Sequence, residues 1–536
     1  MTAESSRRRW LGLVFISVAV ALIIVDSTIV NVAIPSIVDD LGISSTEVQW
    51  VQETYTLVFA SLLLVFGTLA DRLGRRAILL VGVAIFAAAS VLAALAPSGE
   101  LLILSRLVQG IGGAMILPAS LSIINATFRG RERAIAFAVW GSTIGGMAAV
   151  GPLLGGWLTT YFSWRWAFGI NVPLGVIILI GVLVFVSESR EANDGRRIDI
   201  VGALISVVLF ASLVFGLIEG RTFGWWLSDA PPSWWTWEIS PIPIAFGIAL
   251  LALIAFVAWG LRRERLGRST MLAFGLLRIP SFRNGNIAAL IVSLGEFGII
   301  LSLPLWLQSV LGYDALQTGF VILALAIGSF VASGAVGGLG SKLSPVLIVR
   351  IGIVAEIVGL LLVALGISPD ASWWNVVPGL FVYGFGVGMA TAQLTSVVLM
   401  DVPLDQSGQG SGTQSTSRQI GSALGIAILG TILFTSLGTG LQARLEERSE
   451  IPASAVTQIV DAVVDSSGTA IPAIEKQSPD AAADARAAFS DATRYSAFAA
   501  AGFLALGFLA SLRLHSKRDE EQTDSAGEDA SAAVKP

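Results

Sequence analysis

Residues Gly67 to Arg76 read GTLADRLGRR and lie between two apolar blocks, at about 48–70 and 77–96. Glycine lets two helix ends approach closely, Asp71 is suited to accept backbone N–H bonds at a helix N-terminus, and the arginines hold the turn at a water-facing surface. The flanking blocks have the length, about 18 to 25 residues, that crosses a hydrocarbon core of roughly 30 Å. Blocks of this kind recur along the whole chain of 536 residues, 54% of them hydrophobic and 13% charged. Ordinary soluble domains carry roughly 25% charged residues. The chain is therefore expected to be an all-α membrane protein whose first partner is the lipid bilayer.

Fourteen spans are expected: 11–34, 48–70, 77–96, 101–124, 134–158, 167–187, 199–219, 242–261, 284–308, 316–339, 346–367, 375–399, 414–436 and 495–512. Arg7, Arg8 and Arg9 precede the first block with no small-residue cleavage site after it, so it reads as a retained helix. An even count puts both ends of the chain on one side. Arg72, Arg75, Arg76, Arg129, Arg131, Arg133, Arg190, Arg196, Arg197, Arg262, Arg263 and Arg265 all fall in the even-numbered connections. Positive charge collects on the cytoplasmic side, so both termini are expected in the cytoplasm of a cell with this chain in its plasma membrane. The formal net charge of −5 averages over two membrane faces and decides little.

Six spans precede residue 188 and six follow residue 283, which suggests an N-terminal bundle (1–187), a linker with an inserted pair of spans (188–283) and a C-terminal bundle (284–512). Within the linker, the tryptophans at 225, 226, 234, 235 and 237 suit a membrane interface better than a ligand cage. Residues 262–283 mix arginine with Leu272, Phe274, Leu276 and Leu277, as an inner-surface amphipathic segment would. Residues 437–494 are alanine-rich and charged; an extracytoplasmic helical flap and a loose connector are both open. Residues 513–536 read as a disordered cytoplasmic tail.

Four further stretches join GTLADRLGRR. They are VDSTIVNVAIP (Val25–Pro35), RLVQGIGGA from Arg106, WGSTIGGMAAVGPLLGGW with Gly141, Gly145, Gly151, Pro152, Gly155 and Gly156, and SWRWAFGINVPLG (Ser163–Gly175). Together with the span count they resemble the major facilitator superfamily, and within it the fourteen-helix drug:proton antiporters. The resemblance covers nearly the whole chain. It implies a major facilitator fold of two six-helix bundles rocking about a midplane site. It makes Gly67, Asp71, Arg72, Gly74 and Arg75 a conformational gating motif, and GPLLGG in the fifth span the mark of an antiporter. The counterpart of the gating motif in the second half, GGLGSKLSP (Gly337–Pro345), lacks the aspartate.

Ionisable residues inside spans are costly and mark function by default. Asp26, Glu53 and Arg106 fall at comparable depth and are expected to cluster, with Gln52 and Gln109 beside them. Glu296 and Glu356 lie near the middle of the ninth and eleventh spans. Asp26, Glu53, Arg106, Glu296 and Glu356 are thus candidates for proton coupling. Asp26, Gln52, Gln109, Glu296, Phe297 and Tyr383 are candidates for the substrate cavity. Of the aromatic residues Phe297, Trp306, Phe320, Phe330, Phe381, Tyr383 and Phe385, most are expected to pack or face lipid.

Cysteine is absent and the single histidine, His515, lies in the tail, which removes thiol catalysis, disulfides, haem and the usual zinc clusters. No cofactor, metal or nucleic acid is expected, and the chain is read as a monomer. The GxSxG elbow of serine hydrolases is also missing. The expected function is proton-coupled export of hydrophobic or cationic small molecules, and not enzymatic. Export of a lipid or of one endogenous metabolite stays open, with a transporter-derived sensor or a membrane enzyme as readings from another class.

Overall fold

The computed structural model describes residues 3–43, 45–190, 198–228, 235–339, 343–448 and 451–514. The helices α1 (Ala3–Leu41), α2 (Ser45–Leu73), α3 (Arg75–Ala94), α4 (Gly99–Thr127) and α5 (Gly130–Tyr161) come first. Short α6 (Arg165–Gly169) leads into α7 (Asn171–Phe185), then α8 (Ile200–Phe223) and α9 (Pro241–Arg265). There follow α10 (Pro280–Ser309), α11 (Ala315–Leu339), α12 (Pro345–Gly366), α13 (Val377–Val398), α14 (Ser407–Glu446), α15 (Ala453–Asp465), α16 (Ile471–Glu475) and α17 (Pro479–Ser511). Among the described residues there is no strand, only one antiparallel bridge, Leu227 to Ile239.

Local chemistry sets where these helices begin. Three start on a Ser-Pro step, Ser240-Pro241, Ser344-Pro345 and Ser478-Pro479, and in each the serine hydroxyl accepts a backbone N–H of the first turn. Serine satisfies a donor that the helix cannot, and proline at the first position gives up an N–H that would have no partner anyway. Gly74, with φ of 113°, makes the break between α2 and α3, a backbone state closed to other residues at little cost.

By length and composition, thirteen stretches among the described residues can cross a membrane, α6 and α7 counting as one. The 32-residue α5 is not among them. It packs against α1, α11 and α13.

Helices α8 and α9 form a hairpin against α2 and α14. Asp199 caps α8 and ties the two together, accepting from the Gly202 N–H at 3.0 Å and from Trp259 Nε1 at 2.9 Å, with Arg263 at 3.5 Å. At the far end Trp225 covers Gly220, and Trp226 and Trp237 stand exposed; Trp234 lies outside the described residues, as do Arg196 and Arg197.

Two connections take definite form. In the 262–283 segment α9 continues as far as Arg265, Phe274–Arg278 forms a 3₁₀ turn, and α10 begins at Pro280. The segment is pinned by polar bonds: Thr68 Oγ1 donates to the Met271 carbonyl at 2.8 Å, and the Ala273 N–H donates to Gln409 Oε1 at 2.9 Å. The 437–494 segment is largely helical where described, formed by the end of α14, by α15 and α16, and by the start of α17. Its ion pairs Arg444 to Asp491, Arg448 to Asp484 and Arg486 to Glu475 lace α14, α16 and α17 together. The expected tail lies outside the described residues from 515 on.

Candidate functional site

Asp26, mid-α1, is completely buried. Its Oδ2 accepts from Arg106 Nη1 at 2.5 Å, and its Oδ1 accepts from Asn171 Nδ2 at 2.6 Å and Gln109 Nε2 at 3.1 Å. Arg106 also donates to Gln109 Oε1 and to the Val51 carbonyl, and its guanidinium lies 4.3 Å from the Tyr55 ring centroid. Ser90 Oγ accepts from both Gln109 and Asn171. The carboxylate is thus held by three charge-assisted bonds, each worth about 1.5–3 kcal/mol.

Asp26, Arg106 and Gln109 come together as the sequence suggested, but the other two expected neighbours do not supply Asp26's three bonds. Gln52 and Glu53 are only half-buried. Val51 and Tyr55, four apart, meet Arg106 on one helical face, and at 3.6 residues per turn Glu53 falls nearly opposite that face. Asn171 and Ser90, which the sequence reading did not include, complete the network around Asp26.

In the second half, Glu296 of α10 is buried, with Oε1 accepting from Thr391 Oγ1 at 2.7 Å and Oε2 from Arg418 Nη2 at 3.3 Å. The Tyr383 hydroxyl donates to the Glu296 backbone carbonyl at 2.9 Å. Arg418, on α14, was not among the residues expected from sequence. Glu356 of α12 lies behind α13 and is completely buried. Phe297 is half-buried, whereas Phe320, Phe330 and Phe381 are exposed, Phe330 lying against Gly146 of α5. Trp306 is a packing residue whose Nε1 donates to Ser490, and Phe385 packs beside Met389 and Ala392.

The two halves meet at the arginine-rich end. Asp71 accepts the backbone N–H groups of Gly408, at 2.6 and 2.7 Å to its two oxygens, and of Gln409 at 3.0 Å. These are the first N–H groups of α14, so an aspartate of α2 caps a helix of the other half. Arg75 donates to Asp71 at 2.8 Å and to the Leu404 carbonyl at 2.5 Å. Such a crossing requires glycine: a Cβ on Gly67 would lie 2.5 Å from the Gly408 carbonyl oxygen. Asn125 donates to Ser407 Oγ and Gln393 to the Ala134 carbonyl, adding α4 to α14 and α13 to α5. Arg72 lies beside this clasp on α2, and Gly74 turns the chain beneath it.

The glycines of α5 divide between neighbours. Gly151 and Gly155 sit against Thr28 and Ile29 of α1, one turn or less from Asp26, while Gly156 faces Leu316 of α11. Pro152 lies inside the same helix. The surroundings of Gly145 lie outside the described residues. Among the described residues, no cluster of three His, Cys, Asp or Glu has metal-binding geometry.

Membrane helices in two clasped sets, each with a buried carboxylate and guanidinium at its heart, are the architecture of a secondary transporter. The chain belongs to the Major Facilitator Superfamily, which it matches over residues 16–426. It is 34% identical over 389 residues to the puromycin resistance protein pur8 of Streptomyces alboniger, covering 71% of this chain and 73% of that one. It is 32% identical over 411 residues to the multidrug efflux pump LfrA of Mycolicibacterium smegmatis, covering 76% and 78% respectively. The crystal structure of the human organic anion transporter MFSD10 shares the fold, with a TM-score of 0.58 at 14% identity over 95% of this chain and all of that one. This is a multi-pass membrane transporter.

Proposed function

We propose that this chain is a proton-coupled antiporter of the fourteen-helix drug:proton kind, exporting hydrophobic or cationic small molecules across the cell membrane by alternating access. In this reading α5 is the fourteenth span, both termini are cytoplasmic, one chain suffices, and the Asp71 clasp closes the cytoplasmic gate. The observation that carries it is the pairing of a buried carboxylate with an arginine in each half, Asp26 with Arg106 and Glu296 with Arg418.

A carboxylate loses affinity for its proton near a guanidinium and gains it when desolvated, so a site opened alternately to each side takes up a proton outside and releases it inside. A cation arriving from the cytoplasm favours the deprotonated form and so exchanges with the proton. For a monovalent cation exchanged one for one, the membrane potential does no net work and the pH gradient drives transport. A neutral substrate gains about 2.3 kcal/mol per proton per 100 mV. The efflux and resistance roles named for the relatives favour drug-like cargo over a lipid or a single metabolite.

Proteoliposomes that separate the pH gradient from the potential, loaded in parallel with a cationic dye and with a fluorescent lipid, test this. Expected are pH-gradient-driven dye movement by the wild type and its loss in Asp26→Asn and Glu296→Gln. If both variants export like wild type, neither pair couples protons.

A further inference from the structure

Glu356 is a buried carboxylate that neither the clasp nor the two ion pairs employs. It sits mid-α12 with no exposed surface, and neither carboxylate oxygen has a hydrogen-bond partner among the described residues. Gly386 of α13 presses on it so closely that a Cβ there would lie 2.7 Å from Glu356 Cγ. The groups that act on it are Glu296 from α10, Arg418 from α14 and Tyr383 from α13. The Tyr383 hydroxyl is committed to the Glu296 carbonyl. Across the α12–α17 seam the charged groups lie at the ends: Arg350 of α12 donates to carbonyls of Ser511 and Leu512, and Arg494 of α17 to the Ile367 carbonyl.

A bare carboxylate in such a place costs several kcal/mol or more, so Glu356 holds a proton. The charges of Glu356, Glu296 and Arg418 then sum to zero. After proton loss the sum is −1, with one guanidinium for two carboxylates. Arg418 stands at the boundary, its side chain 13% exposed where Glu356 is sealed.

We propose that Glu356 is the seat of the coupling proton and that Arg418 is shared between the two glutamates, so that proton departure draws the guanidinium to Glu356 and frees Glu296 for a monovalent cationic substrate. The proton passes from the Glu356 carboxyl to water on the cytoplasmic side. One positive charge leaves and one enters, and the cluster is neutral at both ends of the exchange. This assignment rests on the reading of the chain as a proton-coupled exporter.

Two measurements on full-length protein, checked first for wild-type elution and melting, decide it. In lipid nanodiscs at pH 7, infrared difference spectroscopy is expected to show a protonated-carboxyl band that vanishes in Glu356→Gln and shifts in Glu356→Asp. In proteoliposomes, wild type is expected to move tetraphenylphosphonium under a pH gradient, and Glu356→Gln at least about tenfold more slowly with no pH dependence. A band that survives in Glu356→Gln places the proton elsewhere and overturns the proposal. Unaltered pH-driven transport by that variant overturns it too, while leaving the exporter reading intact. Wild type that moves no tetraphenylphosphonium overturns cation exchange itself, and the infrared band then still tells whether Glu356 is protonated.

Discussion

The N-terminal half finishes what it starts at Asp26: three donors from α4 and α7 fill the carboxylate, and Ser90 of α3 anchors two of them. The C-terminal half arranges its corresponding helices differently. Glu296 takes one hydroxyl and one longer ion pair, and the third helix of that half, α12, carries an acid with no hydrogen-bond partner among the described residues. A complete buried network is rigid, since every member loses by moving, whereas a sparse one has low-lying alternatives. The two halves thus divide labour between a stiff reference and a site with room for a change of charge.

The largest effect that tests this contrast is Arg106→Ala. It strands Asp26 without its counter-ion and is expected to destabilise the protein by about 3–5 kcal/mol, read by thermal unfolding in detergent. Adding Asp26→Asn should restore part of the loss. A melting point unchanged by Arg106→Ala would end the idea of a stiff N-terminal half.

Next is the clasp where the halves meet. Asp71→Asn removes the charge that caps α14 and binds Arg75, worth about 1.5–3 kcal/mol, or about a 10- to 100-fold shift away from the clasped state. The chain has no cysteine, so a pair introduced at Asn125 and Ser407 reports the clasp by cross-linking yield, which should fall.

Within the C-terminal half, Glu296→Gln deprives Arg418 of its partner and is expected to cost about 1–3 kcal/mol. Glu356→Gln, replacing one neutral group by another, should change stability by less than about 1 kcal/mol. Comparing the two melting curves from pH 5 to 8 ranks them; the reverse order breaks the proposed assignment.

The smallest effect lies at the C-terminal end of α1, beyond the membrane-spanning stretch Arg7–Val30. The hydrogen bond from Arg165, and then that from Trp164, hold Asp40 below the usual carboxylate range. A folded value below the unfolded one means that the pair's stabilisation is complete above about pH 3.9 and disappears as pH falls through the folded value. Asp40→Asn should therefore lower the melting point slightly at pH 7, with the difference closing under strong acid.

Much of this is legible in the sequence. Apolar blocks gave the helices, and GTLADRLGRR placed Asp71 at a helix N-terminus, although the helix it caps lies 337 residues further on. What escaped notice did so for physical reasons. Arg418 follows a polar run, GQGSGTQSTS, and lies near the start of the expected span 414–436, where an arginine reads as interfacial; with α14 starting at Ser407 it lies three turns into the helix. Asn171 and Ser90 are uncharged, and no spacing separates a polar residue that completes a network from one that faces a neighbouring carbonyl. Arg106 meets α2 through the Val51 carbonyl and the Tyr55 ring, a backbone group and an uncharged side chain that a search for charge does not single out.

The unbroken α14 joins three of these places. From the Asp71 cap at Ser407 it passes Arg418 and continues to Glu446 beneath α15. At 1.5 Å per residue, about 17 Å of helix lies on the clasp side of Arg418 and about 42 Å beyond it. It is a lever with unequal arms. A rigid tilt of about 10° about Arg418 displaces the clasp end by about 3 Å, the length of a hydrogen bond, and the far tip by about 7 Å. Loosening one aspartate's grip on two N–H groups therefore reappears, magnified, at the opposite face of the molecule.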